Sequence, residues 1–239
     1  MKALLLAAGF GTRLGNLTSH TPKPLVKVNS KPMLAFCIEQ LAYAGVTEVI
    51  INTHYLADQI NEFVLRNDFP LRIEISHEVE LLGTAGTLKK HIECLVEEDF
   101  IVMHADNYFE DSLSNFVYNH QAREVGNFGT LGTFETQNPE SCGVLLLNKN
   151  RTIREFHEKV LNPPSKIANA AIYAFTPAVK KPLLQLSKNE NDISKHLIPK
   201  ILNGLFTYSF KGLFVDIGTP EGLNLAITHE LELRRSETS

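Results

Sequence analysis

The sequence predicts an α/β fold built on an open, mostly parallel sheet with helices on its faces. In the first half, short apolar runs alternate with helical segments, a pattern typical of strands joined by right-handed helical crossovers. A glycine loop directly follows the first apolar run. In the second half, strand-like runs are separated by short turn signals, which predicts a sheet extension or a small antiparallel lobe. The expected fold is therefore a Rossmann-like mixed sheet with a smaller antiparallel part.

The elements of the first half follow from periodicity and cap residues. Residues 2–8, which are apolar after Lys2, predict a buried strand. Ser30 is a plausible N-cap with Pro32 in the first helical turn, and the helical spacing ends at Gly45. The same criteria predict further strands at 48–54, 71–77 and 99–106, and helices at 56–65, 83–95 and 113–121.

The second half is richer in strands. Strands are predicted at residues 128–136, 142–148, 152–159, 167–175, 205–210 and 213–218. Helical segments are expected after Thr176, around 192–202, and from Pro220 to about Arg235. We expect one domain over residues 1–239, with halves of about 1–125 and about 126–239.

Composition excludes several classes of protein. The chain has 239 residues, 44% of them hydrophobic and 21% charged, which is ordinary for a globular domain. A formal net charge of -4 gives no global attraction to nucleic acid or to a membrane surface. The three cysteines lie far apart and suit a reducing compartment, and no run reaches the length of about 18 apolar residues that a membrane helix needs. We expect a cytoplasmic protein with no nucleic-acid or membrane partner, working as a monomer or homodimer.

The glycine loop Gly9-Phe10-Gly11 is a candidate phosphate site. A dinucleotide fingerprint needs glycine at position 14, where Leu14 stands, and a P-loop needs a lysine directly after its last glycine. The loop is therefore of a third kind, whose backbone could wrap a triphosphate closely because glycine has no Cβ. Arg13 and Lys23 could supply the positive charge.

Acidic and small residues follow other predicted strands. Asp106 and Asp216 each end an apolar strand, and Gly83–Gly86 open a helix. Ligands collect at the carboxyl ends of strands in such sheets, and two carboxylates near a phosphate are a typical Mg²⁺ site. Taken singly, each aspartate could instead cap a turn, and the small residues could serve only close packing.

Taken in order, these motifs resemble the sugar-nucleotidyltransferase family. The segment "LLLAAGFGTRLGNLTSHTPKPLVKV" is similar to the family signature, followed by "ELLGTAGTL", "HADN", "SCGVLLL", "REFHEK", "NAAIYAF" and "GLFVDIGTP". The resemblance covers nearly the whole chain. It implies the nucleotide-diphospho-sugar transferase fold, with a sugar-binding antiparallel lobe, a nucleotide-binding first half and a sugar-phosphate-binding second half.

The resemblance also implies a reaction and a role for each motif residue. A sugar 1-phosphate attacks the α-phosphorus of a nucleoside triphosphate, and pyrophosphate leaves with the assistance of Mg²⁺. The catalytic cations would be Arg13 and Lys23, and the metal ligands Asp106 and Asp216. Nucleotide-binding residues would be Leu6, Ala7, Ala8, Gly9, Gly11, Thr12, Glu80, Gly83, Thr84, Ala85 and Gly86. Sugar-phosphate-binding residues would be Asn107, Gly143, Glu158, Lys159 and Asn169.

Three positions depart from the family pattern. Ala105 precedes Asp106 where glycine is common, Ala171 replaces the glycine of Asn-Ala-Gly, and Phe214 stands where tryptophan is usual. All three keep the polar ligands, so they bear on the choice of sugar more than on activity.

The segment "LGTAGTL" resembles mannose-1-phosphate and heptose-1-phosphate guanylyltransferases most. Gly86 leaves room for a purine, and Glu80 could accept hydrogen bonds from guanine, so GTP is favoured, with a manno-configured or modified hexose or heptose 1-phosphate. The alternatives to GTP are UTP, dTTP and CTP. The alternative to a sugar 1-phosphate is a phospho-alcohol acceptor, as in a phosphocholine-type cytidylyltransferase. A subunit that keeps the fold without the chemistry is less favoured because both cations and both aspartates are present. A dinucleotide oxidoreductase is disfavoured by Leu14.

Overall fold

The computed structural model describes residues 1–123 and 127–237. The helices are α1 (Met33–Tyr43), α2 (Ala57–Arg66), α3 (Thr84–Leu95), α4 (Leu113–Gln121), α5 (Lys180–Leu184), α6 (Ile198–Ile201) and α7 (Pro220–Glu237). The strands are β1 (Lys2–Leu6), β2 (Lys27–Val28), β3 (Lys31–Pro32), β4 (Glu48–Thr53), β5 (Arg72–His77), β6 (Phe100–His104), β7 (Asn107–Phe109), β8 (Gly129–Glu135), β9 (Gly143–Leu147), β10 (Ile153–Glu158), β11 (Ile167–Phe175), β12 (Leu205–Ser209) and β13 (Phe214–Asp216).

The chain folds as two compact units, each made of several segments. The first unit contains Met1–Leu4, Leu82–Met103 and Ser114–Phe210, and the second contains Leu5–Leu81, His104–Leu113 and Lys211–Ser239. The boundary expected between the two halves, near residue 125, falls in residues 124–126, which lie outside the described residues.

In the first unit, the strands run in the order β10-β9-β11-β6-β1, with β8 against β11 and β12 against β8. β11 is antiparallel to β6 and β8, whereas β12 is parallel to β8. The strands of the second half of the chain therefore extend a sheet, which is one of the two arrangements that the sequence predicts. The core of this unit contains the fully buried side chains of Phe100, Tyr173 and Phe175.

In the second unit, the strand order is β1-β4-β5, and β4 and β5 are parallel. α1 buries one face, which consists of Met33, Leu34, Cys37, Ile38 and Leu41. This i, i+1, i+4, i+5, i+8 spacing is that of an apolar helix face. Two small antiparallel sheets, β2 with β3 and β7 with β13, complete the unit.

The predicted fold class is confirmed: a mostly parallel mixed sheet with flanking helices and small antiparallel sheets. The expectation that Ser30 caps α1 is wrong. Asn29 and Ser30 both have positive φ angles and turn the chain between β2 and β3, and α1 begins at Met33 directly after Pro32. β7 is absent from the sequence prediction because three residues are too short a run to show a period. Within the described residues, no helix is both long and apolar enough to cross a membrane.

Candidate active site

The antiparallel pair β7 and β13 brings together the two predicted metal ligands. Asn107 lies opposite Asp216 in this pair, and the N–H of Ile217 donates to the carbonyl of Asp106 at 2.9 Å. The rings of Phe109 and Phe214 stack with their centroids 5.9 Å apart. Phe214, one of the departures from the family pattern, therefore packs within this pair of strands.

Lys23 lies against both carboxylates. It begins a short helical turn, Lys23–Leu25, which follows Pro22, and its residue is 7% exposed. Its Nζ contacts the carboxylate of Asp106 and lies 3.2 Å from Oδ1 of Asp216. Burial alone would lower the pKa of Lys23, but the two carboxylates outweigh burial and raise it above the ordinary lysine value. The ammonium is therefore charged and held between two anions.

Arg13 and Gly218 complete the environment of Asp216. Arg13 donates to Oδ2 at 3.0 Å, and the N–H of Gly218 donates to Oδ1 at 2.7 Å. Burial acts to raise the pKa of Asp216, but Lys23, the Gly218 N–H and Arg13 together hold it below the usual aspartate value. A Cβ at position 218 would collide with the Lys23 ammonium. Both oxygens of Asp216 thus already have cationic or N–H partners.

The glycine loop after β1 contains one glycine that the backbone requires and one that it does not. Gly11 has φ +70, and a Cβ there would lie 3.0 Å from Thr18 Cγ2 and 3.1 Å from Lys23 Cβ. A Cβ built at Gly9 would have no other atom within 4 Å, so the surroundings of Gly9 leave space for a ligand.

Leu14, which breaks the dinucleotide fingerprint, is buried in the helical segment Thr12–Thr18. Among the other predicted residues of this loop, Leu6, Ala7 and Ala8 are nearly buried and Thr12 is exposed.

A buried polar pair that sequence reasoning missed supports this loop. Asn52, at the end of β4, accepts from the Ala7 N–H at 2.8 Å and donates to Glu78 Oε1 at 2.9 Å. The Asn52 and Glu78 residues are 4% and 3% exposed. The only signal in the sequence is a polar residue at the carboxyl end of an apolar strand, the same signal that pointed to Asp106.

Gly83–Gly86 begin a helix, as predicted. Gly83 has φ +74, and a Cβ there would lie 2.5 Å from the Asn191 carbonyl oxygen. The Ala85 N–H donates to that carbonyl at 2.9 Å, and Thr84 Oγ1 accepts from the Ile193 N–H at 2.8 Å. The start of α3 is therefore bound to the segment at residues 191–193. Glu80, which was predicted to contact the base, is exposed.

Gly143 and Glu158 lie opposite each other on β9 and β10. A Cβ at position 143 would lie 2.5 Å from Glu158 Oε2, so the glycine leaves space for this carboxylate. Burial raises the pKa of Glu158; Lys159 and Lys195 oppose the rise and Asp192 adds to it. Lys159 itself is exposed.

Asn169 belongs to a hydrogen-bonded group on β11. Its amide nitrogen donates to Tyr173 Oη at 2.9 Å and to Ser194 Oγ at 3.0 Å, and its Oδ1 accepts from the Ala171 N–H at 2.9 Å. Ala171, where the family commonly has glycine, has φ +52. The pairing of β11 with β8 shifts register between Asn169 and Tyr173, so Ala171 lies in an irregular stretch of this pairing.

The predicted residues therefore fall into two groups. The second unit holds Arg13, Lys23, Asp106, Asn107 and Asp216, and the first holds Gly83–Gly86, Gly143, Glu158, Lys159 and Asn169.

Among the described residues there is no cluster of three or more acidic, histidine or cysteine side chains suited to a metal. Mg²⁺ needs only one or two carboxylates together with substrate oxygens, and Asp106 and Asp216 already hold the ammonium of Lys23 between them. The pair therefore fits such a cation.

Comparison with known proteins gives concordant matches. The family model described as nucleotidyl transferase matches residues 2–232. Mannose-1-phosphate guanyltransferase beta-B of Xenopus laevis is 35% identical over 228 residues, which is 92% of this chain and 62% of that protein. The mannose-1-phosphate guanylyltransferase catalytic subunit beta of Drosophila melanogaster is 35% identical over 229 residues, or 92% of this chain and 60% of that protein. The chain thus spans about three fifths of the length of these relatives. A Bacillus anthracis protein solved in complex with sucrose has the same fold, with a TM-score of 0.86, 24% identity and coverage of 95% of this chain and 94% of that one.

Proposed function

Because the chain belongs to the nucleotidyl transferase family, we propose that it transfers a nucleotidyl group from a nucleoside triphosphate to a sugar 1-phosphate. A phosphate oxygen of the sugar 1-phosphate attacks the α-phosphorus, the bond between the α-phosphorus and its bridging oxygen breaks, and pyrophosphate leaves. The observation that carries this proposal is the contact of Lys23 with both Asp106 and Asp216, with Arg13 on the far oxygen of Asp216.

Such a displacement needs positioned charge more than covalent chemistry. Lys23 and Arg13 are fixed by the two carboxylates in advance, so they can turn to phosphate oxygens with little further ordering. Lys23 would contact the α-phosphate and Arg13 the departing pyrophosphate. The backbone around Gly9 would lie against the triphosphate, since nothing fills the space beside it.

Asp106 and Asp216 would hold Mg²⁺. When bound, the ion would supply positive charge that offsets the charge on the phosphates. In the other unit, Glu158 would accept hydrogen bonds from sugar hydroxyls, beside Gly143, and the exposed ammonium of Lys159 would pair with the sugar phosphate.

GTP is the favoured nucleotide, and the matched relatives are named as mannose-1-phosphate guanylyltransferases. In this proposal Gly83–Gly86 contact the base and ribose, and Glu80 accepts from guanine. The protein would act in the cytoplasm as a monomer or homodimer, consistent with the absence of a disulfide among the described residues.

The test is release of pyrophosphate with Mg²⁺, each nucleoside triphosphate in turn, and a panel of sugar 1-phosphates. We expect the fastest release with GTP and a manno-configured sugar or heptose. Release with UTP, dTTP or CTP alone would overturn the choice of GTP, and phosphocholine as the sole acceptor would overturn the choice of a sugar. No release with any pair would overturn the transferase itself.

A further inference from the structure

The hydrogen bonds around Asn169 leave one hydroxyl hydrogen without an acceptor, and the location of that hydrogen can be derived. The amide of Asn169 uses both of its hydrogens, on Tyr173 Oη and on Ser194 Oγ. The two hydroxyl oxygens lie 3.1 Å apart, so one hydroxyl hydrogen serves that contact. The three side chains carry four polar hydrogens, two on the amide of Asn169 and one on each hydroxyl, and the three hydrogen bonds use three of them.

Burial decides which hydroxyl keeps the free hydrogen. The Tyr173 residue is 0% exposed, and its hydrogen would have no acceptor if it did not point to Ser194. Ser194 is only partly buried. Because a buried donor without an acceptor is costly, Tyr173 donates to Ser194, and Ser194 keeps its own O–H free.

Ser194 is then a donor that cannot accept. Its oxygen has two lone pairs, and Asn169 and Tyr173 fill both. Among residues 1–123 and 127–237 its hydrogen meets no acceptor. A ligand atom that binds there must be a hydrogen-bond acceptor.

The position of Ser194 relates it to the predicted ligand segments of the first unit. The neighbouring residues Asn191 and Ile193 bind the start of α3 through Ala85 and Thr84. The charges of Glu158 and Asp192 both act on Tyr173. Both amide hydrogens of Asn169 are used within the protein, so the one hydrogen that this group can donate to a ligand is that of Ser194.

On these grounds we propose that Ser194 is a specificity-determining residue that donates a hydrogen bond to one hydroxyl oxygen of the sugar, with Asn169 and Tyr173 as its positioning residues. This inference rests on the proposed function, since it takes the sugar 1-phosphate as the ligand of this unit. It assigns the contact to the sugar and not to its phosphate.

The test compares Ser194→Ala, Ser194→Thr and the wild type, using the preferred sugar 1-phosphate and its set of monodeoxy analogues. Ser194→Ala lowers kcat/KM for the parent sugar by about fivefold, the value expected for one neutral hydrogen bond, mainly through KM. For one deoxy analogue, the wild type and Ser194→Ala are equal, because the acceptor is already missing. Ser194→Thr, which keeps the hydroxyl, recovers activity, and Ser187→Ala, an exposed serine outside the group, changes nothing.

Two results overturn the inference. One is equal kcat/KM of Ser194→Ala and wild type for every sugar. The other is the same loss with every deoxy analogue, which assigns the hydrogen bond to the phosphate. Binding of the sugar 1-phosphates without nucleotide, measured by ligand-observed NMR, separates this inference from the proposed function. If binding depends on one sugar hydroxyl and Ser194→Ala weakens it, but no pyrophosphate is released, the role of Ser194 is supported and the transferase activity is overturned. If the wild type neither binds nor turns over any sugar 1-phosphate, both proposals are overturned.

Discussion

The Nζ of Lys23 lies 3.2 Å from Oδ1 of Asp216, in a cluster where every anionic oxygen of Asp216 already has a partner. A metal ion that binds Asp216 must compete with Lys23 for Oδ1 and with Arg13 for Oδ2. A triphosphate offers both cations another anion. In the free protein, the proposed Mg²⁺ ligand Asp216 is therefore occupied by the protein's own cations.

We expect that Mn²⁺, as a probe for Mg²⁺, binds weakly to the free protein and more tightly once GTP is added. Lys23→Met removes one competing cation and should raise the affinity of the free protein for Mn²⁺ on the order of tenfold, or about 1.4 kcal/mol. Electron paramagnetic resonance of free Mn²⁺ measures this without turnover. The exposed Lys27, substituted by Met, is the matched control, and equal Mn²⁺ affinity of Lys23→Met and wild type contradicts this competition for Asp216.

The two glycines of the loop should respond differently to alanine. Gly11→Ala places a Cβ in a left-handed backbone and against Thr18 and Lys23, so the free energy of unfolding should fall by about 1–3 kcal/mol. Gly9→Ala meets no protein atom and should leave stability unchanged while raising KM for the nucleoside triphosphate. Chemical denaturation and steady-state kinetics measure both effects. Unchanged KM in Gly9→Ala excludes close approach of the phosphates at this residue.

Ala171 is strained in a way that glycine would relieve. Its φ of +52 is unfavourable for a residue with a Cβ, by about 1–2 kcal/mol. Ala171→Gly should therefore raise the free energy of unfolding by about 0.5–1 kcal/mol, net of the greater freedom of glycine in the unfolded chain. Ala168→Gly, on the same strand without a positive φ, should lower stability. A loss of stability in both variants contradicts the strain at position 171.

His120 should make the protein less stable in acid. It is fully buried between Thr130 and Asp99, and burial, with Arg123 nearby, lowers its pKa to about 4, although Asp99 opposes the shift. Between pH 6.5 and 4 the unfolded chain takes up this proton and the folded chain does not, so the free energy of unfolding falls as the pH falls. The loss attributable to His120 is on the order of 3 kcal/mol.

Denaturation of wild type and His120→Gln at several pH values measures this contribution. The variant should have a lower stability at pH 7 but a shallower decline between pH 6.5 and 4. His20→Gln, an exposed histidine, is the control and should keep the wild-type slope. A slope that is the same in His120→Gln and wild type contradicts the assignment.

The sequence predicts where several strands end, because apolar runs and the polar residues that follow them are visible in it. Asp106 and Asp216 follow apolar runs, and the carboxyl ends of such strands are where ligands collect. The pairing of β7 with β13, which brings their segments together, could not be predicted, since β7 has three residues and shows no periodicity. The buried pair of Asn52 and Glu78 was not predicted, because each is an ordinary polar residue near a strand end in the sequence. The donor character of Ser194 could not be predicted, because it depends on hydrogen bonds between this residue and two side chains of β11.

The proposed transfer of a nucleotidyl group is tested by assaying the wild type, Asp106→Asn and Asp216→Asn with GTP, Mg²⁺ and the preferred sugar 1-phosphate. We expect the wild type to form nucleoside diphosphate sugar and pyrophosphate in equal amounts, measured by ³¹P NMR. Each variant should lose more than about a hundredfold in rate, the size of effect expected when charge stabilisation of the transition state is removed, while circular dichroism shows it folded. Full activity in both folded variants, or no product from the wild type with any nucleotide and sugar phosphate, would contradict the proposed transfer.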